Sequence, residues 1–225
     1  DFEGKVFPVS RSHPEIMGLK AFPTMSDVPE QVDLAVLIIP AIYVADTLED
    51  CAKHGVKSAL ILSSGFSEDN SEDGDLLQKK LLDISKRTNM VISGPNSEGY
   101  ANMALKLCPT FSPAVDGENI ELMPSWPAKK RIAVIAQSGG MGFSFYDRGR
   151  PKNLPFSYVI TTGNEACLES LDIVEYLIDS DEADIFLMFM EDVKTPSKLS
   201  YVAEKALSAG KPMIVTKIGH SDAGI

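Results

Sequence analysis

The stretch IAVIAQSGGMGFSFYDRG, residues 132–149, decides how the rest of the chain is read. It opens with an unbroken apolar run, residues 132–136. Such a run describes a strand buried on both faces, as parallel sheets have. Gln137, Ser138, Gly139 and Gly140 follow, and a helical pattern runs on from Met141 through Phe145 and Tyr146. A strand, a turn of small residues and a helix start together make an anion site. The first N–H groups of a helix lack intrahelical partners, and the helix dipole adds positive potential there. Ser138 can add a hydroxyl, and Gly139 and Gly140 let the backbone come close to a phosphate. The plainer alternative is an ordinary βα turn whose Ser138 caps the helix. The segment is not a Walker A loop, because the GK[ST] is missing.

Working outward, β and α signals alternate on both sides of this stretch. Upstream, a short strand is expected at residues 6–9, interrupted by Pro8, then a punctuated loop with a short helix over residues 14–29. A buried strand follows at 33–39, an amphipathic helix at 42–54 closed by Gly55, and a strand at 58–62. A helix at 76–88 and a strand at 90–93 complete the upstream half. Downstream, strands are expected at 157–161, 183–190 and 212–217. Helices are expected from the 162–166 turn to about residue 180 and at 197–209. Residues 104–130 carry four prolines and little periodicity, so they read as a linker, with a domain boundary near Pro124. The division expected is residues 1–124 and 125–225.

In doubly wound α/β folds, ligands bind at the carboxyl ends of the strands. The loops at those ends hold Val9, Ser10 and Arg11, then Pro40, then Ser63, Ser64, Gly65 and Phe66, and finally Pro95, Asn96 and Ser97. A glycine-rich dinucleotide fingerprint is absent, which argues against a nicotinamide-dependent oxidoreductase.

Composition bounds the partners. The chain has 225 residues, 44% hydrophobic and 24% charged, with a formal net charge of -11. That balance argues against nonspecific nucleic-acid or anionic-membrane binding. The apolar runs are too short to span a bilayer. Cys51, Cys108 and Cys167 are widely spaced without a CxxC, so we expect a reducing, cytoplasmic setting and no metal site. The chain does not begin with Met and opens like the middle of a domain, so residues are expected before Asp1.

Several motifs together carry a family resemblance. GPNSEGYANM, residues 94–103, resembles the GPNCxG segment of the succinyl-CoA synthetase alpha subunit and of the NDP-forming acyl-CoA synthetases. IAVIAQSGGMG resembles their VALVSQSGALG, and GKPMIVTKIGHSDAG resembles GKPVIVLKAGRSEAG. SYVITTGNEACLESLDIVEYL and the opening VFPVSRSHPEIMG also match, nearly end to end and in order. The fit is closest to the ADP-forming acetyl-CoA synthetase branch. The resemblance implies a Rossmann-like CoA-binding domain, its first βα unit missing, followed by a flavodoxin-like succinyl-CoA synthetase-type domain. It implies that a small carboxylic acid, CoA and ATP give acyl-CoA, ADP and phosphate, through an acyl phosphate and a phosphohistidine. ATP and Mg²⁺ are expected on an ATP-grasp domain or subunit absent from this sequence, within a homo- or hetero-oligomer.

FMEDV places Glu191 where the family carries a strand-end Glu, so the resemblance implies that Glu191 orients the phosphohistidine. Asn164 and Glu165, in TTGNEA, are possible site residues; a helix-capping turn is the alternative. The phosphohistidine is expected beyond Ile225. His220 stands in a tempting GHSDAG context, but it aligns with the family's Arg. Ser97 replaces the family's Cys, which implies no catalytic thiol there. The alternative function is a noncatalytic CoA-binding or regulatory module, such as the synthetase-like part of a protein acyltransferase.

Overall fold

The computed structural model describes residues 2–116 and 130–219. The expected boundary near Pro124, and His220, lie outside the described residues. Among the described residues, two larger sheets organise the chain, one all-parallel and one parallel except for its edge strand. The first has three strands, β3 (Leu34–Leu37), β4 (Ser58–Ile61) and β5 (Val91–Ser93), in that order. Their register runs Leu34↔Ser58 and Ser58↔Val91. Helix α1 (Ala41–Lys53) joins β3 to β4, and α2 (Glu72–Thr88) joins β4 to β5. Val44, Leu48 and Cys51 fall on one stripe of α1 and are buried with Ile61, Leu81, Ile84 and Ile92. That i, i+4, i+7 spacing is what lets a helix seal one face of a sheet.

The second sheet has five strands in the order β10-β9-β7-β8-β6. Its elements are β6 (Tyr100–Asn102), β7 (Ile132–Ala136), α3 (Gly139–Gly149), β8 (Phe156–Thr161), α4 (Ser170–Asp179), β9 (Ile185–Met190), α5 (Pro196–Ser208) and β10 (Met213–Lys217). β7 lies at the centre, between β8 and β9, and pairs parallel with both. Its side chains alternate between two cores. Ala133 and Ile135 pack with Leu171, Val174, Leu177, Phe186 and Val202, whereas Val134 packs with Phe143, Tyr146, Phe156 and Val159. This two-faced burial is why the run carries no polar residue. Fully burying one such side chain contributes roughly 1.5–3 kcal/mol. Tyr146 and Phe156 meet edge to face, with ring centroids 5.4 Å apart.

The chain crosses from one sheet to the other before the linker. β6 pairs antiparallel with β8, Tyr100 opposite Ile160. The polypeptide therefore leaves the first sheet at β5 and joins the second within the next few residues.

Some local expectations change. The strand expected at residues 6–9 is a single parallel bridge, Val9↔Phe22. The Pro8 carbonyl accepts from the Phe22 N–H, but Pro8 itself has no N–H to extend a ladder. The loop over residues 14–29 contains a two-stranded hairpin, β1 (Glu15–Ile16) and β2 (Leu19–Lys20). Its turn residues, Met17 and Gly18, have φ of 50° and 78°, the pair of positive values a type I′ turn needs. Helix α2 begins four residues earlier than its apolar pattern shows. Ser71 caps it, accepting from the Gly74 N–H, and acidic residues fill the first turn. Among the described residues, no helix is long and apolar enough to cross a membrane.

Candidate active site

The strand order places a switch point beside β7. From β7 the chain goes to β8 on one side, then crosses to β9 on the other. In doubly wound sheets the crevice at such a point is where ligands bind. Residues 137–140 lie at the end of β7, and Glu191 follows the end of β9. β7 and β9 are hydrogen-bonded neighbours, and the Gln137 N–H donates to the Phe189 carbonyl at 3.0 Å. The two sequence-derived candidates, the α3 turn and Glu191, are thus side by side.

Ser138 sits at the N-cap of α3 with extended backbone, and its side chain makes no capping hydrogen bond. Its hydroxyl is left available to something other than the helix. Gly139 and Gly140 differ. A Cβ on Gly139 would lie 2.6 Å from the Glu98 Cβ and 2.7 Å from the Glu98 carboxylate, so that position is packed against a side chain. A Cβ on Gly140 would meet nothing within 4 Å. Open approach to the helix start is therefore at Gly140. Among the described residues, no group of three or more His, Cys, Asp or Glu side chains could hold a metal ion.

The Glu191 side chain is exposed, while its backbone is held at both ends. Its N–H donates to the Gln137 amide oxygen at 2.5 Å, and its carbonyl accepts from the Lys217 ammonium at 2.8 Å. Asn164 and Glu165 both have full hydrogen-bonding duties. Glu165 is 5% exposed and accepts from the Thr162 hydroxyl at 2.8 Å, the Ser170 N–H at 2.9 Å, the Ser170 hydroxyl, and the Gln137 amide at 3.0 Å. That carboxylate serves the start of α4 and the strand ends, not open solvent. Asn164 reaches the first sheet's loops and helix α2. Its amide donates to Glu68 and, at 2.9 Å, to Gln78, and accepts from Asn96 at 3.2 Å.

The turn at 162–166 docks directly on the end of β5. The Asn164 N–H donates to the Pro95 carbonyl at 2.9 Å, and the Ala166 N–H to the Gly94 carbonyl at 3.0 Å. Gly163 makes this possible: a Cβ there would sit 2.2 Å from the Pro95 oxygen, and its φ is +58°. The Gly94–Pro95 bond is cis.

The loops expected to hold a cofactor divide by what their atoms are doing. Asn96 donates its N–H to the Ser63 carbonyl at 2.9 Å, so residues 63–66 and 94–97 meet. Ser64 and Pro40 are exposed, and Pro40 caps α1. Val9, Ser10 and Arg11 are tied to Phe22 through the Ser10 N–H, and the Ser10 oxygen accepts from the His13 N–H at 3.2 Å. Phe66 is wholly buried in the first core, so its side chain serves packing. The N–H groups of Gly65 and Phe66 donate to Glu68, at 2.7 and 3.2 Å. Burial pushes the Glu68 carboxyl up, but the Asn164 amide and the N–H groups of Glu68 itself, Gly65 and Phe66 outweigh it and hold it below the usual range. Ser97, 2% exposed, donates to the Thr161 carbonyl at 2.7 Å and accepts from the Gly99 N–H at 2.9 Å. Its hydroxyl joins the two sheets. None of the thiols is activated: burial, with Asp50 adding to it, pushes Cys51 up to about 11, and burial raises Cys108 and Cys167.

Sequence reasoning missed Gln137, Glu68 and Glu98. Gln137 stood inside the quoted motif, but nothing in its spacing says where its amide points.

Residues 2–103 match a CoA binding domain, and residues 129–225 match a succinyl-CoA ligase like flavodoxin domain. The chain is 35% identical over 224 residues to an ADP-forming acetate–CoA ligase of Methanocaldococcus jannaschii, covering 100% of this chain and 30% of that protein. It is 33% identical to the alpha subunit of ADP-forming acetate–CoA ligase II of Pyrococcus furiosus, covering 98% of this chain and 45% of that subunit. A dinucleotide forming acetyl-coenzyme A synthetase 1 of Ca. Korarchaeum cryptofilum, solved in complex with phosphate and ADP, superposes with a TM-score of 0.83 at 30% identity, covering 99% of this chain and 45% of that one. The chain thus spans less than half the length of these relatives. Both domain models match in tandem and these relatives align along the whole of the chain, so it carries a CoA binding domain followed by a succinyl-CoA ligase like flavodoxin domain, the arrangement of the ADP-forming acetate–CoA ligases it is similar to.

Proposed function

We propose that this chain is the CoA-binding and ligase part of an enzyme that joins a small carboxylic acid to CoA, with cleavage of ATP to ADP and phosphate. One observation carries the reading. The uncapped Ser138 and the open Gly140 at the start of α3 lie next to Glu191, across a strand switch point. A phosphoryl group needs donors aimed at its oxygens and a positioned partner for the residue that delivers it. The α3 N–H groups and the Ser138 hydroxyl supply the donors. The Glu191 carboxylate, exposed at the neighbouring strand end, accepts an imidazole N–H and fixes the orientation of a phosphorylated histidine.

Covalent transfer through histidine divides the reaction into easier steps. The phosphoryl group passes to the acid's carboxylate, the acyl phosphate is attacked by the CoA thiol, and phosphate leaves. The chain's own part is to hold the anion, exclude competing orientations and present CoA from the first domain. CoA would lie along the exposed strand ends near Ser10, Arg11, Pro40, Ser63, Ser64 and Asn96. ATP and Mg²⁺ would be handled by an ATP-grasp domain or partner subunit.

Labelled ATP tests the reading. In the complete protein, Glu191→Gln should lower acid-labile, base-stable protein phosphate about tenfold to a hundredfold, since a charge-assisted hydrogen bond is worth roughly 1.5–3 kcal/mol. His220→Asn should change it much less. Unchanged labelling in Glu191→Gln, or loss of the label in His220→Asn with a downstream histidine dispensable, would overturn the assignment. Calorimetric CoA titration of variants in the first-domain loops tests the other half.

A further inference from the structure

Gln137 lies at the switch point and is 9% exposed. Its side-chain amide makes four hydrogen bonds. The oxygen accepts from the N–H groups of Glu191 at 2.5 Å and Asp192 at 2.8 Å. The nitrogen donates to the Asp192 carbonyl and to the Glu165 carboxylate, both at 3.0 Å. Each end of the amide meets only its complement, so a flipped amide would face two donors with a donor and two acceptors with an acceptor. Glu165 is anchored by Thr162 and Ser170 at the start of α4. A continuous run of hydrogen bonds therefore links the α4 N-terminus, through Glu165 and Gln137, to the peptide that carries Glu191. The charged groups around the amide are Glu165 from the 162–166 turn, Glu191 and Asp192 after β9, and Lys194 and Lys217. Those two ammonium groups bind the carbonyls of Glu165 and Glu191, each at 2.8 Å.

We infer that Gln137 is a positioning residue for phosphoryl transfer: its amide sets the backbone of Glu191, and so the place from which the Glu191 carboxylate meets the phosphohistidine. The inference rests on the reading of Glu191 given above. A strand-end crosslink alone would need only one of these bonds. Here both ends of the side chain grip the two residues that follow β9, using a buried carboxylate as the fixed reference.

The test uses the complete protein, labelled ATP, and the variants Q137M and Q137E beside Glu191→Gln. Q137M keeps the length but loses all four bonds, so labelling should fall about tenfold or more while CoA affinity stays within about twofold. Q137E sets a second carboxyl against Glu165. Two carboxyls in contact raise one pKa, so they share a proton more readily as pH falls. The protonated form restores the accepting carbonyl and one of the two donated bonds, its single O–H reaching the Glu165 carboxylate or the Asp192 carbonyl. The labelling rate of Q137E relative to wild type should therefore rise as pH is lowered from about 8 to about 6. Wild-type labelling in Q137M, a flat ratio in Q137E, or an equal loss of CoA affinity and labelling without recovery at low pH would each overturn the inference. Glu191→Gln separates the failures. If it slows labelling while both Gln137 variants behave as wild type, only the inference falls; if it has no effect, the reading of Glu191 falls and takes the inference with it.

Discussion

The contact between Asn164 and Glu68 can be tested as a pair. Asn164 sits in the second domain's 162–166 turn, and Glu68 in the first domain's strand-end loop. The Asn164 amide donates to the Glu68 carboxylate and to Gln78, and accepts from Asn96. Removing it with Asn164→Ala deletes two neutral bonds, worth about 1 kcal/mol each, and one charged bond, worth roughly 1.5–3 kcal/mol. The site is half-buried, so water replaces part of this, and a net loss of about 1.5–3 kcal/mol is expected. Glu68→Gln should cost about 1–2 kcal/mol, because the N–H groups of Gly65 and Phe66 lose a charged acceptor. In the double variant the shared bond is lost only once, leaving a coupling of about 1 kcal/mol between the two sites. Urea unfolding of the two single variants, the double variant and wild type measures it. Losses that add within about 0.3 kcal/mol would refute the reasoning. The pH dependence has a fixed sign. The folded Glu68 carboxyl is held below its usual value, so its contribution is present above the ordinary carboxylate range. It is lost as pH falls through that range, about 4 and below, and the coupling should shrink with it.

Three further outcomes follow from the same geometry. Ser138→Ala should slow phosphoryl transfer about tenfold with CoA affinity unchanged, and Gly140→Val should slow it more, because the space above Gly140 is open; single-turnover labelling and calorimetry read the two quantities. Ile135→Ala should destabilise the second domain by about 2–5 kcal/mol, seen as a lower urea midpoint, because Ile135 is wholly buried in the core shared by α4 and α5. Asp184→Asn should cost about 1–2 kcal/mol at neutral pH, since the Arg131 guanidinium, bonded at 3.0 Å, holds the Asp184 carboxyl below its usual value; the gap from wild type should close as pH falls below the carboxylate range, and urea midpoints at neutral and acid pH decide it.

How much of the fold is legible depends on whether an element's signal is local. β7 was readable to the residue because an all-apolar run is what burial on both faces requires. α1 was readable because Val44, Leu48 and Cys51 repeat at helical spacing and Gly55 ends the pattern, with φ +81°. The start of α2 was missed because its first turn is acidic and carries no apolar stripe; only the Ser71 cap marks it. The β1–β2 hairpin was missed because each strand is two residues long, too short for alternation to register. The pairing of β6 with β8 was invisible for another reason. Tyr100 and Ile160 are far apart in sequence, and three residues of strand do not announce their partner.

The site divides along the same line. Ser138 and Glu191 could be nominated from sequence, because each ends an apolar strand and each falls in a motif. What their neighbours do could not. Ser97 lies in a motif that points to CoA, yet its hydroxyl is bound to Thr161 and Gly99, where the two sheets join. Glu165 and Asn164 are adjacent in one turn and face opposite ways. One closes on Gln137 and the end of β9, and the other on Glu68 and the first domain's loop. The turn that links them is held by backbone bonds to Gly94 and Pro95, at the approach only Gly163 permits. A continuous hydrogen-bonded path therefore runs from the first domain's loop to the peptide of Glu191. Under the proposed function a thiol held in one domain must meet a phosphorylated acid held in the other, and this polar seam ties the two strand-end loops that such a meeting requires in register.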